Sequence, residues 1–233
     1  MKVRLKVKHL IVTLAILLLF IPLMVFVIGP YAAAHIAEQK AISGDMKAKE
    51  NLLETLETMP NSEKKWSIIR EHMIDGPLYS RFDVYVGPSF THQVHKEKIP
   101  FSKEERLPYL IDYVKEGPAD EGLQFAASDL SQYYVQNGNV EKAYEILDDA
   151  IDRFSIKESF YKDELTLEKI KLAVQQKQYN EARTYIQEAL EQAEDWNIDL
   201  FGQIAALQAE MLIQEGKIEE AYDKIVAEME SFK

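Results

Sequence analysis

The chain has 233 residues, with 27 basic and 39 acidic side chains, a net charge of −12 and no cysteine. Its length suffices for one domain with a proper hydrophobic core plus a short additional segment. The absence of cysteine excludes disulfides, thiolate metal sites and a lipid-modified cysteine. Residues 1–30 carry four basic side chains and no acid, so the remainder holds 23 basic against 39 acidic residues, a net of −16. Such an acidic surface repels phosphate backbones, and no nucleic-acid partner is expected.

The N-terminal segment predicts a membrane anchor. Residues 10–34 form a run of 25 without a charged side chain, which exceeds the about 20 helical residues that cross a bilayer core. The four cations precede this run, and basic flanks stay in the cytoplasm. We therefore expect a cytoplasmic tail over residues 1–9 and a C-terminal domain outside the cytoplasm. The alternative is a cleaved signal peptide, since Gly29-Pro30 breaks the helix just before three alanines where a signal peptidase could cut.

Residues 35–75 are predicted to form membrane-proximal helices. Gly44-Asp45 predicts a break, Pro60 ends the second helix, and a third helix is expected over Glu63–Met73. The apolar residues at helical spacing are Met46, Leu52, Leu53, Leu56 and Met59 in the second helix, and Trp66, Ile69 and Met73 in the third.

Residues 76–100 differ from their neighbours in composition and hydrophobic pattern, and they are predicted to be a non-helical insertion. Proline recurs with glycine, and Phe82, Val84 and Val86 alternate with other residues, which is typical of a short strand or extended segment. Helix is expected to resume after Phe101, because Ser102 and Glu105 form a capping box. That helix should run to about Lys115.

The C-terminal half contains three segments that align at a constant offset of 39 residues. A turn position recurs as Gly138, Lys177 and Gly216. A small residue recurs five positions later as Ala143, Ala182 and Ala221. Glycine at the turn can adopt the left-handed conformation that ends a helix, and the alanines allow two helices to approach closely. Because one such hairpin cannot bury its apolar face alone, the pattern predicts stacked hairpins. Apolar residues four and eight positions after each alanine should extend the buried stripe.

This pattern resembles the tetratricopeptide repeat, whose second helix opens with glycine and alanine at this spacing and carries another small residue seven positions on. Ala150 and Ala189 match that later residue, whereas Glu228 stands there in the third copy. The resemblance covers residues 124–233, with a degenerate copy at Gly44, and departs from the family in its repeat length and in Lys177. It implies an all-α, tetratricopeptide-like helix-hairpin solenoid, which we assign to residues 101–233. It also implies a scaffold or chaperone-like role in the envelope through protein or peptide partners.

In tetratricopeptide-like solenoids the first helix of each hairpin lines a concave groove where peptides dock. Eleven positions before each of the three alanines the residue is polar, and a second polar row follows one helical turn later. The expected partner-binding residues are Gln132, Lys171, Glu210, Gln136, Gln175 and Gln214. Amides dominate this set, which favours hydrogen bonding to a peptide backbone over capture of a strong charge.

No catalytic constellation occurs in the sequence, so we expect neither an enzyme nor a bound cofactor. His92 and His95, with His72 and its neighbour Glu71, leave a zinc-dependent enzyme as one alternative. We do not expect a metal site, because the histidine pair falls in the non-helical insertion without supporting groups. The other alternative to an interaction module is a structural spacer that forms homo-oligomers within an envelope complex.

The third copy is expected to end the solenoid. Terminal repeats need a polar outer face, and Glu228 replaces the small residue of the earlier copies. Ile225, Met229 and Phe232 form an apolar stripe on the same helix. We expect a cap, with the alternative that this stripe is an interface.

Overall fold

The helices of the chain fall into two units, and the computed structural model describes residues 28–74, 99–155, 159–192 and 198–231. All regular secondary structure in these ranges is helical, with ten helices and no strand. The first unit contains the described residues 28–73 and 99–102. The second contains Ile74 and the described residues from Lys103 onwards. The predicted all-α class is therefore confirmed for the described part of the chain.

The described part of the first unit contains three helices, which are Gly29–Ile42 (α1), Met46–Thr58 (α2) and Glu63–His72 (α3). Side-chain caps fix two of the starts: Asp45 accepts a hydrogen bond from the amide of Ala48, and Ser62 accepts one from the amide of Lys65. The predicted break at Gly44-Asp45 and the predicted third helix are confirmed. Met46 was expected on the apolar face, but it is exposed, because it opens α2 ahead of the first buried turn.

The predicted anchor lies largely outside the described residues, which begin at Ile28. Gly29–Ala34, the end of the predicted span, open α1, and the Ala34 side chain is fully buried. None of the helices in the described ranges combines the length and apolar character that crossing a membrane requires. In the predicted insertion, only Ile99 and Pro100 are described. Neither is helical, and the predicted extended segment at Phe82–Val86 lies outside the described ranges.

The second unit contains seven helices, which are Lys103–Glu116 (α4), Glu121–Gln136 (α5), Val140–Arg153 (α6), Ser159–Gln175 (α7), Tyr179–Gln192 (α8), Ile198–Gln214 (α9) and Ile218–Ser231 (α10). α4 begins directly after Ser102, as the capping box predicts. Helices α5 and α6, α7 and α8, and α9 and α10 pack as three successive hairpins. Each hairpin corresponds to one of the three aligned segments.

The three hairpin turns share one backbone conformation. Gly138, Lys177 and Gly216 have φ values of 76°, 59° and 80°, which places all three in the left-handed region. In each turn the amide of this residue bonds to the carbonyl three positions back, and the next amide bonds five positions back. This is the Schellman motif that closes a helix. Gly44, with φ 91°, makes the same two bonds between α1 and α2, so the expected fourth copy shares at least this turn.

Lys177 carries a side chain where its two equivalents are glycine, and a left-handed backbone strains a residue that has a Cβ. We expect Lys177→Gly to raise the free energy of unfolding by up to about 1 kcal/mol, because the strain is relieved at a position where glycine costs little. Urea denaturation of the full chain measures this. Lys177→Ala is the control, since it removes the lysine but keeps the Cβ and should gain nothing. A loss of stability in Lys177→Gly would contradict the conformation.

The recurring alanines lie inside the hairpins. Ala143, Ala182 and Ala221 are all buried. Of the residues four positions on, Leu147 and Ile186 are also buried, whereas Ile225 is 43% exposed, so the predicted stripe is wrong at this position in the third copy. The predicted continuation eight positions on is wrong: Leu190 is exposed and Ile151 is only half-buried.

Consecutive hairpins stack on one another. The first helices α5, α7 and α9 pack in series, and α7 also packs on α6. A cluster of buried side chains joins α7, α8 and α9, including Ile170, Ile186 and Ile204. At the N-terminal end, α4 packs on α5 and α6. The guanidinium of Arg153 donates hydrogen bonds to the carbonyls of Tyr113, Val114 and Gly117 at the end of α4. α4 therefore covers the first hairpin, and the series of first helices sets the position of the groove.

Candidate functional site

A groove of about 460 Å³ lies between α5 and α7, the first helices of the first two hairpins. Its walls come from equivalent stretches of the two helices, since both helices are held in the same orientation by the repeat. The lining residues are Ser131, Gln132, Val135, Gln136, Glu168, Lys171, Leu172 and Gln175. Four of the six residues that the sequence predicts for partner binding therefore lie along one groove.

The groove combines exposed amides with an apolar floor. Gln132, Gln136 and Gln175 are exposed, whereas Leu172 is buried at the base. Each glutamine side chain offers both donors and an acceptor. This pattern matches the requirements of a peptide backbone, which presents a donor and an acceptor at nearly every residue. The Nζ of Lys171 is 3.4 Å from Oε1 of Gln203 on α9, so this lysine links the groove to the next hairpin.

Glu168 is the one carboxylate among the residues that line the groove, and it was not among the residues predicted from the sequence. Ser128 donates a hydrogen bond to its Oε1 at 2.6 Å. Burial raises the pKa of Glu168 above its usual value, and the Ser128 hydrogen bond and the charge of Lys171 only partly oppose this effect. Asp129 and Leu207 occupy the equivalent positions in the other copies. Because this position carries a carboxylate in the first two copies and a leucine in the third, it does not form a row that is polar in all three copies, and the repeat alignment does not select it. Its spacing of three residues from Lys171 is the signal that it shares a helix face.

The other two predicted residues, Glu210 and Gln214, lie on α9 and do not line this groove. Gln214 donates to Glu210 at 3.0 Å and accepts a hydrogen bond from the hydroxyl of Tyr179 at 2.6 Å. The two side chains are thus engaged with each other and with the preceding hairpin. They continue the predicted row along the chain, but they lie outside the groove that the equivalent residues of the first two copies line.

The first unit contains a separate polar cluster around Glu38, a buried carboxylate on α1. Its Oε2 lies 2.8 Å from Nζ of Lys64, and its Oε1 lies 3.3 Å from Nε2 of the buried His72. Burial alone raises the pKa of Glu38. The hydrogen bonds from His72 and Lys64, with the charge of Lys64, outweigh this effect and lower the pKa to about 2. The carboxylate is therefore ionised at neutral pH.

Glu38, Glu71 and His72 place three ligand atoms within 4.8 Å of one another, a donor set that zinc accepts. The ammonium of Lys64 already lies against Glu38. Ser67 donates to Glu71 at 3.2 Å, and the Ile99 amide approaches Nδ1 of His72 at 3.5 Å. These partners account for the groups as an ion-pair and hydrogen-bond network. His92 and His95, the other residues of the zinc alternative, lie outside the described ranges.

Comparison with protein-family models, with curated proteins and with solved structures gives no match. The description of this chain as a series of helical hairpins therefore rests on its own internal repeat and on the shared turn geometry.

Proposed function

We propose that the chain is a membrane-anchored, extracytoplasmic interaction module that binds a protein or peptide partner through the groove between α5 and α7. The observation that carries this proposal is the convergence of Gln132, Gln136, Lys171 and Gln175 on one groove. They come from equivalent positions in two copies. Their hydrogen-bonding side chains therefore recur along the groove, just as the donors and acceptors of a peptide recur along its backbone. Glu168 and Lys171 add one charge of each sign for side-chain selection.

The tetratricopeptide assignment belongs to this proposal and has two supports. The turns at Gly138, Lys177 and Gly216 share one conformation, and the alanine five residues after each turn is buried. The extracytoplasmic location is supported by the four cations before the uncharged run of residues 10–34. A scaffold or chaperone-like task in the cell envelope follows from these two inferences together.

A library of random peptides displayed on phage tests the groove, with the full chain as the target. We expect selected peptides to lose binding to Gln132→Ala/Gln175→Ala and to Lys171→Glu, because the first removes backbone hydrogen bonds and the second reverses the single groove cation. Loss of two exposed hydrogen-bonding side chains should weaken binding by about tenfold or more. The thermal midpoint should hardly change, since Gln132 and Gln175 are exposed and Lys171 is only half-buried.

Gln187→Ala is the matched control, because Gln187 is an exposed glutamine on α8 and does not line the groove. It should leave peptide binding unchanged. Equal binding by the groove variants and this control would refute the groove as the site. If binding were lost instead on changing residues 81–90, the site would move to the insertion.

A further inference from the structure

Among its described residues, the last hairpin exposes four large apolar side chains. Ile213 on α9 is 54% exposed, and on α10 Ile218 is 69%, Tyr222 68% and Ile225 43% exposed. The expected polar outer face of the final copy is therefore wrong for these residues. The side chain of Glu228, on which that expectation rested, is not among those described. Exposed apolar clusters of this kind mark interaction surfaces more often than isolated apolar residues do.

Two of the four positions are buried in the preceding copy. Val174 is the equivalent of Ile213, and Ile186 is the equivalent of Ile225; their exposed fractions are 1% and 2%. Both side chains belong to the buried cluster that joins α7 and α8 to α9 of the following hairpin. The apolar residues of the last copy therefore stand where the earlier copy meets its successor.

The other two positions contact the following hairpin directly in the earlier copies. Tyr179, the equivalent of Ile218, donates to Gln214 of the next copy at 2.6 Å. Tyr144, the equivalent of Tyr222, donates to Gln178 of the next copy at 2.7 Å, and its ring centroid lies 6.3 Å from that of Tyr185. The same position in the middle copy, Arg183, pairs with Glu215 of the next copy. All four positions thus belong to the surface that one hairpin offers to the next.

We propose that a second copy of this chain packs against the face formed by Ile213, Ile218, Tyr222 and Ile225, so that two final hairpins pair about a two-fold axis. The proposal is independent of the groove, which lies on α5 and α7. The face continues the established contact between successive hairpins, and a hairpin of the same repeat type is what that contact accepts.

Two observations select a symmetric pair over a head-to-tail stack. The corresponding N-terminal surface of the first hairpin is covered by α4, which Arg153 holds in place. A second copy therefore has no free first hairpin to offer. Ile218, Tyr222 and Ile225 follow one another at spacings of four and three residues, which is the pattern by which two helices pack along a common seam. An uncharged seam of this kind is complementary to itself, as a two-fold interface requires.

Single cysteines test the pairing, since the chain has none of its own. Ile218→Cys, Tyr222→Cys and Ile225→Cys are placed separately in the full chain and oxidised in membranes. We expect at least one of them to give a reducible band at twice the mass of the chain, because residues near a two-fold axis meet their own copies. Adding Tyr222→Asp to a cross-linking Ile218→Cys or Ile225→Cys variant, or Ile218→Asp to a cross-linking Tyr222→Cys variant, should abolish the band, since a charge at the centre of such an interface weakens association by about thirtyfold or more.

Glu220→Cys is the matched control. Glu220 is exposed and, two residues from both Ile218 and Tyr222, points to the opposite side of α10. Circular dichroism of the Tyr222→Asp chain tests whether it remains folded. We expect it to do so, because Tyr222 is highly exposed. Three seam cysteines that cross-link no better than Glu220→Cys would overturn the proposal. So would a cross-linked band of another mass, which would identify a foreign partner instead of a second copy.

Discussion

Glu38→Gln is expected to lower the free energy of unfolding of the first unit by about 2–3 kcal/mol at pH 7, because it removes one partner of a buried ion pair. The estimate is at the lower end for such pairs because a third of the Lys64 side chain is exposed. Glutamine keeps the size of the side chain, so the loss reports charge and not a cavity. His72 loses a charged acceptor at the same time.

The stabilisation by the Glu38 carboxylate is expected to depend on pH. The pKa of Glu38 is lowered from 4.5 to about 2 in the folded chain, so between these values the unfolded chain binds the proton and the folded chain does not. The stabilisation is present above about pH 4.5 and is lost as the pH falls towards about 2. We therefore expect the difference in stability between the natural chain and Glu38→Gln to shrink over this window and to be constant above it.

Fluorescence of Trp66 measures the unfolding of this unit, because Trp66 is buried on α3. The chain has two tryptophans, and Trp196→Phe removes the other. Lys64→Met completes a double-mutant cycle: it should cost stability in the natural chain and little in the Glu38→Gln background. Equal costs in both backgrounds would mean that the ion pair contributes no stability.

Ala182→Leu is expected to cost about 1–3 kcal/mol, because the added atoms must fit into a closed contact between α7 and α8. Ala182 is completely buried. Its equivalent Ala221 is 2% exposed although no further hairpin follows it among the described residues, which shows that this alanine packs inside its own hairpin. The cost should therefore arise in the hairpin and not between hairpins.

Ala206→Leu is the control for this prediction. Ala206 is an exposed helical alanine on α9, so leucine there changes helix propensity by the same small amount without filling a closed space. Thermal and urea denaturation of the two variants measure the difference. If Ala182→Leu were no more costly than Ala206→Leu, the alignment of the three hairpins at this residue would be mistaken.

The hairpins and their turns could be predicted from the sequence because their determinants are local. A glycine or its substitute and an alanine five residues later mark each turn, and an offset of 39 makes the three copies visible together. The turn at Lys177 was recognised through alignment alone, because lysine by itself gives no sign of a left-handed backbone. The same alignment located Gln132 and Lys171 on one groove.

Features that depend on distant residues could not be predicted in this way. Glu38 and His72 are 34 positions apart and meet only through the packing of α1 against α3. Glu168 has an acidic counterpart in Asp129 but an apolar one in Leu207, so a search for rows that are polar in all three copies passes over it. The exposure of Ile218 and Tyr222 depends on how the hairpins stack, a property of the assembled unit and not of the local pattern.

The stacking of hairpins in series has a consequence for how the second unit opens. In such an array each hairpin derives its stability from itself and from its nearest neighbours, so the unfolding free energy approximates a sum along a line. The middle hairpin has a neighbour on each side, and the first is covered by α4. The last pair, α9 and α10, has a neighbour on one side within the described chain. We therefore expect this hairpin to have the lowest free energy of local unfolding in the second unit. A second copy seated there would supply the missing nearest neighbour and make local opening and self-association competing outcomes for the same surface.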